Sequence, residues 1–105
     1  MWAFLNNSFL SAVAHRDRPD DLLVRARLRG DIEAVFPDAE VSETPDADYR
    51  FRAVVPREQF ADVIAETARS IDYSNFKNSV MDERRHDAYL RVWSVMHREQ
   101  EAARL

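Results

Sequence analysis

A chain of 105 residues, 46% hydrophobic and 10% aromatic, fits one domain with its own core, because two domains would each fall near the lower size limit for independent folding. The absence of cysteine excludes a disulfide framework, a thiol nucleophile and a thiolate zinc site, and the single glycine, Gly30, excludes a Gly-rich phosphate loop. Fifteen basic against nineteen acidic side chains leave −4, which argues against non-specific binding to a nucleic-acid backbone.

The first fifty-five residues follow period two. Trp2–Leu5 and Phe9–His15 are short apolar runs joined by Asn6-Asn7-Ser8, the residues of a hairpin turn. The polar stretch from Arg16 to Asp21 contains Pro19 and reads as an exposed loop. In Leu22–Arg29 the apolar Leu22, Val24, Ala26 and Leu28 alternate with Arg25, Arg27 and Arg29, as in a strand with one buried face. A short helix opens after Gly30, turns Ile32, Val35 and Phe36 inward and stops at Pro37. A weak strand at Glu40–Thr44 leads to the turn Pro45-Asp46-Ala47-Asp48, and a clearer one follows. There Tyr49, Phe51, Ala53 and Val55 take one face while Arg50 and Arg52 take the other, up to Pro56.

From Arg57 the period becomes 3.6. Phe60, Val63, Ile64, Thr67, Ala68 and Ile71 form the stripe of an amphipathic helix. Residues 72–80 are irregular or a single turn, and Asp82–Arg104 is a long last helix with Asp82 and Glu83 placed where the helix dipole favours acids. Its middle, from Ala88 to Met96, is apolar on more than one stripe, as expected of a helix that meets both its own sheet and something else. The segregation of periods points to an α+β fold: a single domain over residues 1–105, with a mainly antiparallel sheet of four or five strands. The helices at 57–71 and 82–104 are expected to pack on one face. From Leu22 to Ile71 the order is five-sixths of a ferredoxin-like unit, with the N-terminal hairpin supplying the missing strand.

The chemistry is concentrated in two places. Arg25, Arg27, Arg50 and Arg52 share the side opposite the apolar set, so neighbouring strands would join them into a surface for a carboxylate, a phosphate or an acidic protein partner. Pairing within the fold competes with that reading. Seven acids and no base lie between positions 31 and 48, within reach of a cross-strand ion pair. The second place is Asp72–Asn78, where Tyr73, Asn75 and the only lysine, Lys77, lie between two helices as either a binding loop or a capped connector. His86 and His97 share a helix face but sit ~16 Å apart by helical rise and cannot hold one metal ion. No serine or histidine stands in a nucleophile context, so no catalytic role, metal or cofactor is assigned.

The opening apolar run is shorter than the ~7–15 residues of a signal-peptide core, and no run approaches the ~18 of a membrane span, which gives the expectation of a cytoplasmic protein off the membrane. Both N-terminal strands are apolar on two faces, and one layer of helices covers one. A twofold homodimer is the expected partner for the other.

The runs Ile71-Asp72-Tyr73, Asn75-Phe76-Lys77, Arg84-Arg85-His86, Tyr89-Leu90 and Val92-Trp93-Ser94-Val95-Met96 resemble the C-terminal signature of a family of short, uncharacterised bacterial and phage-encoded proteins. Phe9 followed by Leu22-Leu23-Val24-Arg25-Ala26-Arg27 is similar to the same family's N-terminal pattern. That family carries no known activity, so the resemblance transfers no role to any residue. The function expected is a non-enzymatic interaction or regulatory module, with binding of an anionic metabolite or nucleotide at the arginine face, as a binding protein or small enzyme, as the alternative.

Overall fold

Alternating apolar residues need a second layer to bury one side of each strand, and the chain meets that need with a sheet and two helices. In the computed structural model, which describes residues 1–104, the elements are β1 (Trp2–Phe4), β2 (Phe9–Ala14), β3 (Asp21–Ala26), α1 (Asp31–Val35), β4 (Ser42–Glu43) and β5 (Phe51–Pro56). They are followed by α2 (Arg57–Arg69), a 3₁₀ turn (Lys77–Ser79) and α3 (Glu83–Ala102). The five strands form one sheet in the order β1-β2-β3-β5-β4 with every neighbouring pair antiparallel. The fold is α+β.

The chain divides into two compact units, Met1–Asp72 and the stretch from Tyr73 onward. In the first, Ala3, Leu10, Ala12, Val24, Ala26, Phe51, Ala53 and Val55 bury one face of the sheet against Ile32 and Phe36 of the α1 region and Phe60 of α2. Phe36 and Phe60 stack at 5.8 Å between ring centres. Removing a core side chain of this size costs about 3–5 kcal/mol.

Several sequence expectations shift by a turn. β3 ends at Ala26, whose partner Phe51 begins β5, so Leu28 lies past the ladder and is exposed rather than buried. Gly30 there adopts a φ of 91°. α2 ends at Arg69, and of its apolar stripe only Phe60, Val63 and Ile64 reach the core, while Ile71 is exposed.

In the second unit Asp82 caps α3 by accepting from the Arg85 backbone N–H at 2.9 Å. Phe76 stacks on Tyr89 at 5.7 Å and packs on Tyr73 at 5.8 Å. Leu90, Val92, Trp93, Val95 and Met96 of α3 are all exposed. Among the described residues no helix is long and apolar enough to cross a membrane.

Candidate functional site

The register aligns five side chains in one row across the whole sheet. Trp2 pairs with Ser11, Ser11 with Arg25, Arg25 with Arg52 and Arg52 with Ser42. Directly opposed residues project on the same side, so the row lies on the face away from the core and sets two arginines opposite each other at its centre.

The four candidate arginines, and Arg29 beside them, have different fates. Arg27 donates to the Asp48 carboxylate at 2.9 Å and to its backbone carbonyl at 3.0 Å. That hydrogen bond raises the Arg27 pKa above its already high ordinary value. Arg29 donates to both oxygens of Glu43 at 3.0 and 3.1 Å. Arg50 precedes β5, is exposed, and contributes its backbone carbonyl to Thr44 N–H at 2.7 Å. Arg25 and Arg52 have no carboxylate partner among the described residues. Arg25 donates to the Ser11 hydroxyl at 2.9 Å, while its Nε is buried with no acceptor. Arg52 Nε donates to the Tyr49 carbonyl at 3.4 Å.

Tyr49 joins these groups, although alternation alone assigns it to the apolar face of the fifth strand. It is buried but stands outside the core cluster, with its ring 4.4 Å from the Arg25 guanidinium carbon and 4.1 Å from that of Arg27. The alternation does not govern it because it precedes β5, and its electron-rich ring face attracts cations. Ser11, fully covered and in register with Arg25, was also not singled out.

Tyr73, Asn75 and Lys77 all lie in the second unit, where Asn75 and Lys77 meet and Tyr73 packs elsewhere. Lys77 Nζ donates to the Asn75 side-chain oxygen at 3.4 Å and lies 5.4 Å from the Trp93 ring centre. With Tyr73 packed on Phe76, these contacts describe a connector that closes on itself. His97 stacks on Trp93 at 5.0 Å, and no group of three His, Asp or Glu among the described residues could hold a metal ion.

A cleft of about 400 Å³ lies where the chain leaves α1 and passes β5 and α2, floored by Phe36, Ala39, Val54 and Pro56 and edged by Asp38 and Glu40. It contains none of the candidate residues. No protein-family model, curated protein or solved structure matches the chain.

Proposed function

We propose that the protein is a non-enzymatic interaction module that acts as a homodimer through the exposed face of α3. The observation that carries this reading is the apolar row Ala88, Val92 and Met96, spaced i, i+4, i+8, with Val95 beside it. Val92, Val95 and Met96 are 41%, 53% and 62% exposed. Contiguous apolar surface of this kind is uncommon on a monomer, and rows of i±4 spacing are the ridges by which helices pack.

A second copy fits the row. In an antiparallel pairing centred on Val92, each Ala88 faces the partner helix at the level of Met96, a small residue against a large one. Arg85 falls level with Glu99, an acid opposite a base. Twofold symmetry makes the same surface its own complement. Among the described residues no nucleophile, base and orienting group are brought together to favour a reaction instead.

Light scattering tests the reading. The chain is expected to show twice the 12.3 kDa of one copy at micromolar concentration, and Val92→Glu, which places two carboxylates near the twofold axis, to reduce it to one copy with helix content unchanged. A mass of one copy for the wild type, or an undiminished double mass for Val92→Glu, would contradict it.

A further inference from the structure

The fold supplies carboxylates to the arginines just past the end of β3 and withholds them from the pair opposed within the ladder. Asp48 neutralises Arg27 and Glu43 neutralises Arg29, yet Arg25 and Arg52, opposed across β3 and β5, share no acid among the described residues. Adjacent strands lie about 4.8 Å apart, and like charges opposed at that spacing destabilise a sheet. Arg25 is nonetheless held in place, its Nη2 by the buried Ser11 hydroxyl and its face by the Tyr49 ring. Its Nε is a buried donor without an acceptor, which is costly and rare in a finished structure. Most of the N–H donors of both groups are uncommitted.

We infer that Arg25 and Arg52 form a binding site for a phosphomonoester. Two cations on opposed residues, one of them held in place, match a dianion better than a single carboxylate, and a phosphomonoester, whose second pKa is about 6, is a dianion above neutral pH. Planar guanidinium forks bind its oxygens in bidentate fashion. The same row offers a platform for what the phosphate is attached to. Trp2 lies two strand spacings from Arg25, about 10 Å, and the residue is 66% exposed. A flat ring such as a nucleobase stacks on an aromatic side chain of this kind. The inference uses β1 to β5 and is independent of the dimer through α3.

The test is a ³¹P NMR titration at pH 7.5 and matched ionic strength, with inorganic phosphate in one arm and adenosine 5′-monophosphate in the other. The wild type is expected to bind saturably in at least the nucleotide arm. Arg52→Gln should weaken binding about tenfold or more, as befits loss of a charged hydrogen-bonding partner. Arg50→Gln, which removes a nearby exposed charge, should leave it unchanged. Arg52 makes only one long contact within the fold, so its variant is expected to keep the wild-type circular dichroism spectrum. Tighter binding of the nucleotide that Trp2→Ala abolishes supports a ring-bearing ligand. Equal binding of both probes, insensitive to Trp2→Ala, supports the phosphoryl site and overturns the part assigned to Trp2. No saturable binding, or equal weakening by Arg50→Gln and Arg52→Gln, overturns the site.

Discussion

The backbone N–H of Phe9, the first residue of β2, donates to the Asp31 carboxylate at 3.0 Å, twenty-two residues away at the first position of α1. Asp31 is 4% exposed, which is uncommon for an acid unless it is paired. The contact ties the start of the hairpin's second strand to the helix that covers the core. A first-turn aspartate reads from sequence as a helix-dipole residue, but here it also anchors a distant strand.

Asp31→Ala is therefore expected to destabilise the fold by about 1–3 kcal/mol, because the Phe9 N–H loses its acceptor in a partly buried setting. In thermal unfolding this corresponds to a drop of several degrees or more. Glu33→Ala, also in the first turn of α1 but exposed, should change stability by no more than about 0.5 kcal/mol. Equal effects of the two substitutions would show that the Phe9 contact contributes nothing.

Gly30 precedes α1 with φ at 91°, and a Cβ built there would meet nothing within 4 Å. A substitution at this position is penalised by backbone conformation alone. Gly30→Ala should cost about 1–2 kcal/mol, the usual penalty for a left-handed L-residue, and Gly30→Asn less, because asparagine tolerates that region. Urea unfolding of the three proteins should rank Gly, then Asn, then Ala. An Ala variant as stable as the wild type would mean that the turn can relax to a negative φ.

Much of this architecture was legible in the chain because it rests on local periodicity. The alternation of Leu22, Val24 and Ala26 with Arg25 marked a one-sided strand, and the stripe through Phe60, Val63 and Ile64 marked the helix that covers it. The site was half legible for the same reason. Parity places Arg25 and Arg52 on one side, but only the order β3-β5-β4 opposes them directly. Which arginines are neutralised is set by where β4 carries Glu43 and the turn after it carries Asp48, and alternation within β3 says nothing about either. Tyr49 and Leu28 were misplaced because both stand just outside a ladder, where the period-two rule stops applying. The Phe9–Asp31 bond had no local signal at all.

The pairing of two copies through α3 is tested most directly with cysteine, because the chain contains none and any disulfide must come from the residue introduced. At the closest approach of packed helices, 8–10 Å between axes, facing Cα atoms come within the roughly 4.4–6.8 Å that a disulfide spans. Val92→Cys, at the centre of the pairing, should form a covalent dimer under mild oxidation, while Glu33→Cys, also exposed but on α1, should remain a single chain. A Val92→Cys protein that stays monomeric, or that crosslinks no more readily than Glu33→Cys, would contradict the account.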